Sequence, residues 1–387
     1  MRDYIHATIA STFAWAGNIY DLLLLTYVYS YFEKVYSLSI LDFSILFALG
    51  LIGRVIGGSY FGNIADKIGR KPILLIGTAG YSTSQLLLAL SPNVLLLYVF
   101  RLLEGIFMGA QWTAGTVLAY EKAPVSLKGI ITGIVQSGYG IGYAMTGVAY
   151  ILLNNDPRLF LITGSIPLIL IPYILIGIKE GNREGEYRAK VNIRDYLPIL
   201  LRSTAGMAGM FIAYFSVFGN YTIFAEGYLR MSSYSLGLLM TLANIGLAIS
   251  FILFGRLADF MDKRKLIYIG ALALLLSLPL SISVFTNDLL SQIGISIYAF
   301  FTGFWPLMAL LLVDSVPLEV RGFLSGLAYN IGGFVGGIAN IILGFIATLG
   351  IYELVNSIDI LGFASITVVL VSVITWPKTK RAVVNSI

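Results

Sequence analysis

Apolar stretches of membrane-crossing length alternate along the chain with short polar segments. An α-helix rises about 1.5 Å per residue, so crossing the roughly 30 Å apolar core of a bilayer takes about 20 apolar residues. The pattern predicts twelve such helices, over residues 7–31, 43–61, 73–91, 94–118, 128–153, 159–178, 199–225, 234–258, 266–286, 289–312, 321–349 and 352–376. Only Pro92 and Asn93 separate the third from the fourth, which makes that pair a tight hairpin. The first stretch is too long for a cleavable leader and lacks a cleavage pattern.

Composition supports this reading. The chain has 387 residues, of which 58% are hydrophobic and 12% charged, against about 25% charged in soluble domains. Lipid must therefore be the solvent for much of the surface. The 41 glycines suit closely packed membrane helices. The absence of cysteine excludes disulfides, thiolate metal sites and thiol catalysis. With both termini placed in the cytoplasm, twenty Lys and Arg residues fall on the inner side and three, Lys34, Arg158 and Arg230, on the outer side. The inner set is Arg2, Lys67, Arg70, Lys71, Lys122, Lys128, Lys179, Arg183, Arg188, Lys190, Arg194, Arg202, Arg256, Lys263, Arg264, Lys265, Arg321, Lys378, Lys380 and Arg381. Basic loops stay inside, so this bias predicts a multi-pass cell-membrane protein with both ends cytoplasmic.

The sequence repeats once. Gly62-Asn-Ile-Ala65-Asp66 returns 193 positions later as Gly255-Arg-Leu-Ala258-Asp259, and Arg70-Lys71 returns as Lys263-Arg264. Glu121 and Pro124, followed by Lys128-Gly129, return at the same offset as Asp314, Pro317 and Arg321-Gly322. One register kept over several motifs predicts two parallel six-helix bundles, 1–178 and 199–387 with its short cytoplasmic tail, joined by a cytoplasmic linker over 179–198. The expected fold is all-α, with the bundles related by pseudo-twofold symmetry.

The run Gly62-Asn-Ile-Ala-Asp66-Lys67-Ile-Gly69-Arg70-Lys71 resembles the signature of the major facilitator superfamily between its second and third spans. Gly53-Arg54-Val-Ile-Gly57 leading into Tyr60-Phe61-Gly62 is similar to the metabolite:proton symporters, with Val55 where those carry Pro. Tyr20-Asp21 resembles the same group and the sialate and aromatic-acid symporters. Arg101-Leu-Leu-Glu104-Gly105 resembles the family's fourth-span Arg motif, and Gly109-Ala-Gln111-Trp112 a Gly-Gly-Glu-Trp stretch whose acid is here Gln111. Span five lacks the Gly-Pro element of drug/proton antiporters. The resemblance implies transport of a small molecule by alternating access, with symport favoured and a drug or metabolite antiporter of the same fold as the alternative.

Charge inside a bilayer costs about 2.5–3.5 kcal/mol per group on insertion scales. Asp21, Arg54, Arg101 and Glu104 lie well inside spans of the first half, and adding 193 places Tyr214, Leu247, Gly294 and Ile297 at the matching positions. Unduplicated charge points to function. Asp21 or Glu104 is expected to take up a proton under the control of Arg101, and the planar fork of Arg54 suits a carboxylate. The alternatives are a static ion network, an Arg54 consumed by Asp21 or Glu104, and a neutral sugar as substrate. The path is expected to be lined by Asn18, Gln111, Gln136, Tyr139, Tyr143, Tyr214, Asn220, Tyr221, Asn244, Tyr298, Trp305 and Asn330. A cytoplasmic gate is expected from Gly62, Asp66, Arg70, Lys71, Glu121, Asp259, Arg264, Asp314 and Arg321. No Walker loop, metal-ligand cluster or nucleophile motif occurs, so neither an enzyme nor a cofactor or metal is expected. The expected partners are a small-molecule substrate, protons and the lipid bilayer, with no nucleic acid, and the chain is read as a monomer. A membrane receptor or channel is the alternative from another class.

Overall fold

A computed structural model describes residues 3–153, 155–179 and 191–377. The basic residues Arg2, Arg183, Arg188, Lys190, Lys378, Lys380 and Arg381, with residues 180–190 of the linker and the 378–387 tail, lie outside the described residues. Among those described the ordered elements are all helical: α1 (Asp3–Leu24), α2 (Tyr29–Tyr36), α3 (Ile40–Ile68), α4 (Arg70–Ala89), α5 (Val94–Lys122), α6 (Lys128–Leu153), α7 (Pro157–Ile162), α8 (Leu170–Gly177), α9 (Leu197–Phe218), α10 (Tyr221–Gly227), α11 (Ser233–Leu257), α12 (Lys263–Ser281), α13 (Asp288–Phe301), α14 (Trp305–Ser315), α15 (Leu318–Ala347) and α16 (Ile351–Ile374). Nine stretches among the described residues are long and apolar enough to cross a membrane. The other three expected spans correspond to α1, α4 and α6, helices of 22, 20 and 26 residues richer in hydroxyl, amide and glycine positions.

Local chemistry explains where the helices break. The sixth expected span is split into α7, a 3-10 segment (Thr163–Ile169) and α8, with Pro167 inside the tight segment; proline cannot donate the helical hydrogen bond and clashes with the preceding turn. The tenth is split the same way, by a 3-10 turn (Thr302–Phe304) followed by Pro306 in the first turn of α14. The hairpin between α4 and α5 is closed by Asn93, whose side chain accepts the N–H of Leu96. Gly69 joins α3 to α4 at φ 105°, a left-handed value that glycine adopts without a Cβ penalty.

Helix packing rests on close backbone approach. A Cβ on Gly53 of α3 would lie 2.5 Å from the carbonyl oxygen of Leu102 on α5. Two further contacts join elements from the two halves of the sequence: α3 packs along α15, and α6 along α11. At these crossings a Cβ on Gly62 would lie 2.7 Å from the oxygen of Gly322, and one on Gly255 would lie 2.5 Å from the oxygen of Gly129. Gly62 and Gly255, like Gly129 and Gly322, are 193 positions apart, so the two crossings exchange equivalent residues.

Candidate functional site: a latched end, a buried charge cluster and a central cavity

The sequence repeat becomes a reciprocal clamp at the end of the molecule that carries Asp66 and Asp259. Asp66 of α3 accepts the backbone N–H groups of Gly322 at 2.9 Å and Phe323 at 2.8 Å, near the start of α15. Asp259, just beyond α11, accepts those of Gly129 at 2.6 Å and Ile130 at 3.2 Å, near the start of α6. A carboxylate is favoured there by both charge-assisted bonds and the positive end of the helix. Arg70 pairs with Asp66 at 2.5 Å and with Glu121 at 3.1 Å, and Arg321 reaches Glu121 at 3.7 Å from the other half. Lys263 pairs with Asp314 at 2.9 Å. Tyr120 donates its hydroxyl to Asp314, while its ring lies 4.1 Å from Lys128 Nζ and 5.3 Å from Arg321 Cζ.

Two of the expected gate residues make contacts within their own half among the described residues. Lys71 donates to the carbonyl of Leu175 on α8 at 2.8 Å, and Arg264 to that of Pro377 at 3.3 Å. The repeat offset gives the reason: Arg70 corresponds to Lys263, so Lys263 faces Asp314 and the next residue, Arg264, turns toward the end of α16.

Asp21, Arg101 and Glu104 are fully buried. Arg101 and Glu104, one turn apart on α5, form an ion pair of 3.0 Å. Asp21 stands apart from it. Neither of its oxygens has a hydrogen-bond partner among the described residues, and Arg101 Nε and Nη2 are likewise without an acceptor.

Arg54 occupies the wall of a narrow central cavity formed by α1, α3, α6, α9 and α15. Its side chain is buried, with the guanidinium 5.4 Å from the ring centre of Trp15. Tyr139 and Tyr329 stand beside it, and no carboxylate among the described residues lies within ion-pair distance of it. Neither Asp21 nor Glu104 consumes Arg54. Apart from Asn330 and Gly333, the remaining wall is apolar and aromatic: Ile19, Leu22, Leu51, Phe211, Phe215 and Phe334. Aromatic packing closes it across the two halves. Trp112 stacks on Tyr329 at 3.5 Å, and Tyr139 meets Tyr214 edge-on at 5.5 Å.

The residues expected to line a path divide accordingly. Tyr139 and Asn330 line the cavity; Tyr214 and Trp305 pack behind Tyr139 at 5.5 and 6.1 Å. Gln136 is buried with its Nε2 unpartnered among the described residues. Asn18 and Gln111 instead bond each other at 2.7 Å between α1 and α5. Asn220 binds the carbonyl of Ser216 and the side chain of Asn340, both at 3.1 Å; Tyr298 donates to the carbonyl of Ala213 at 3.0 Å; and Tyr221 meets Ser291 at 2.8 Å. These groups tie helices together away from the cavity.

Sequence reasoning passed over Trp15 and Tyr329, which flank Arg54, since an aromatic residue in an apolar span reads equally as packing or lipid anchor. It also passed over Asp359, the ninth residue of α16, whose half-buried side chain has an oxygen without a partner among the described residues. Ionisable groups inside spans are therefore not confined to the first half.

The description "Major Facilitator Superfamily" belongs to a family model that matches residues 7–340 and 206–385. The chain is 25% identical over 337 residues to the sialic acid transporter NanX of Escherichia coli (strain K12), covering 82% of each chain. It is 24% identical over 331 residues to the cis,cis-muconate transport protein of Acinetobacter baylyi, covering 81% of this chain and 80% of that one. Among solved structures, the proton:xylose symporter XylE bound to 6-bromo-6-deoxy-D-glucose superposes with a TM-score of 0.75 at 16% identity, over 98% of this chain and 97% of that chain. The human organic anion transporter MFSD10 gives a TM-score of 0.71 at 14% identity, over 95% and 100%. Family model, relatives and fold agree: the chain belongs to the major facilitator superfamily and is a multi-pass membrane transporter.

Proposed function

We propose that this transporter carries a small organic acid across the cell membrane by alternating access, driven by symport of a proton. The single observation that carries the reading is Arg54, a buried guanidinium on the cavity wall with no carboxylate partner among the described residues. A buried charge is tolerated when something pairs with it. A substrate carboxylate is the natural counter-ion, held bidentately by the planar fork. The aromatic and aliphatic wall suits an apolar or unsaturated body. The names of the relatives, among them transporters of sialic acid and muconate, support an acid over a neutral sugar.

Residues 1–178 and 199–387 act as the two bundles that rock about this cavity, linked through 179–198, in a chain that works as a monomer with both termini cytoplasmic. The reciprocal Asp66 and Asp259 clamps then form the cytoplasmic latch, closed while the substrate exchanges outside. Asp21, Arg101 and Glu104 load and release the proton. The unpartnered N–H groups of Arg101 leave it able to accept Asp21 as a second partner once that acid ionises.

The test is an uptake screen in proteoliposomes with monocarboxylates, dicarboxylates, amino acids and sugars, with and without an inwardly directed proton gradient. Gradient-driven accumulation of an acid supports the reading. Accumulation of sugars alone, or flux that neither saturates nor shows counterflow, contradicts it.

A further inference from the structure

Asp21 packs closely with Gln85 and Leu24 over the bare backbone of Gly164, a contact that the transport reading leaves unused. Its Oδ1 lies 2.6 Å from the point where a Cβ on Gly164 would sit, and the Cγ of Gln85 crowds the same point. Gln85, on α4, is fully buried. Its Nε2 donates to the carbonyl oxygen of Leu161 at 3.0 Å. A carbonyl only accepts, so this bond fixes the amide orientation and leaves Oε1 as the atom free to bond. Oε1 has no partner among the described residues, and neither has either oxygen of Asp21.

The pairing is chemically selective. An ionised carboxylate and an amide oxygen are both acceptors and repel. A carboxylic acid donates its O–H to that oxygen. Gly164 belongs to the 3-10 segment between α7 and α8, and its missing side chain supplies the space.

We propose that Gln85 is a positioning residue for the coupling acid: its Oε1 receives the protonated form of Asp21 over Gly164, and the ionised form leaves it for the spare N–H groups of Arg101. The inference rests on the reading of Asp21 as the proton carrier. The ionisable groups facing Asp21 are Arg101 and Glu104 from α5, Tyr81 from α4 and Tyr20 from its own helix. The neighbouring 3-10 segment (Thr163–Ile169) contributes none, while Tyr139 of α6 lines the cavity, Tyr173 of α8 meets His6 and Tyr27 packs on Tyr150. Proton exchange then occurs within the first half of the chain, beside the substrate cavity rather than in it.

The test measures the pH dependence of uptake in proteoliposomes, beside counterflow at saturating substrate, for Gln85→Met and Gly164→Ala. Methionine keeps the volume of Gln85 and removes the acceptor; alanine crowds the contact. Each makes protonation of Asp21 harder, so half-maximal uptake moves about one pH unit toward acid while counterflow is kept. A slower transporter with an unmoved midpoint in both variants would mean that Gln85 only ties α4 to Leu161, and overturns the proposal. Asp21→Asn, run in parallel, separates the two ideas. If it loses gradient-driven uptake while the Gln85 and Gly164 variants keep the wild-type midpoint, only the role of Gln85 fails; if it keeps gradient-driven uptake, the coupling reading fails and takes this inference with it.

Discussion

Tyr120 donates its hydroxyl proton to Asp314, joining the first half of the chain to the second at the end where Asp66 and Asp259 are clamped. The clamps come in repeat-related pairs, whereas the position 193 residues after Tyr120 is Val313. This bond therefore has no symmetry mate, and its ring lies against cations from both halves, Lys128 and Arg321.

Removing that hydroxyl loosens the latch without emptying the site. A hydrogen bond to a charged acceptor contributes about 1.5–3 kcal/mol, so Tyr120→Phe should raise the latch-open population about tenfold or more. The chain contains no cysteine, so spin labels placed through Ile68→Cys and Met261→Cys, both exposed near the clamps, report only their own distance. The longer-distance population should grow in Tyr120→Phe. Unchanged distances would remove Tyr120 from the latch.

Gly62 and Gly255 permit the close crossings at that same end. Valine at either position puts branched carbon against the backbone of Gly322 or Gly129, forcing the helices apart. Each variant should lower the rate of uptake at least about fivefold, since overpacking a close contact costs about 1–3 kcal/mol. The label distances should lengthen in parallel, and a full transport rate in both variants would contradict the role given to these crossings.

Asp21→Asn preserves the size of the buried side chain and removes its proton exchange. Uphill uptake driven by a pH gradient should be lost, with substrate exchange retained at equal pH on both sides. The measurement is accumulation against counterflow in the same vesicle preparation. Accumulation at the wild-type level would leave the Arg101–Glu104 pair as a static helix tie.

The offset of 193 related Asp66 to Asp259 and Gly129 to Gly322 in the sequence, but that each acid meets the glycine of the other half is visible only in the fold. The helices were legible because lipid demands continuous apolar length, and the prolines at 167 and 306 mark where two of them bend. The cavity was only half legible. Arg54 stood out, as any buried charge does, but its neighbours Trp15 and Tyr329 are aromatic residues among many, and nothing in their spacing separates a binding wall from a packing face. Asn18 and Gln111, polar groups that suggest a path, bond each other between α1 and α5, while Asn18 Oδ1 and Gln111 Nε2 stay without partners among the described residues. Lys263, rather than Arg264, faces Asp314 because helix register decides which of two adjacent cations points at the acid.

Counterflow with Arg54→Gln tests the central claim most directly, comparing an acid that the wild type carries with its uncharged amide. The account predicts that the wild type exchanges the acid and not the amide, and that Arg54→Gln loses exchange of the acid at least about tenfold, in keeping with the 1.5–3 kcal/mol of a charge-assisted bond. Equal exchange of the acid by the wild type and Arg54→Gln would contradict it.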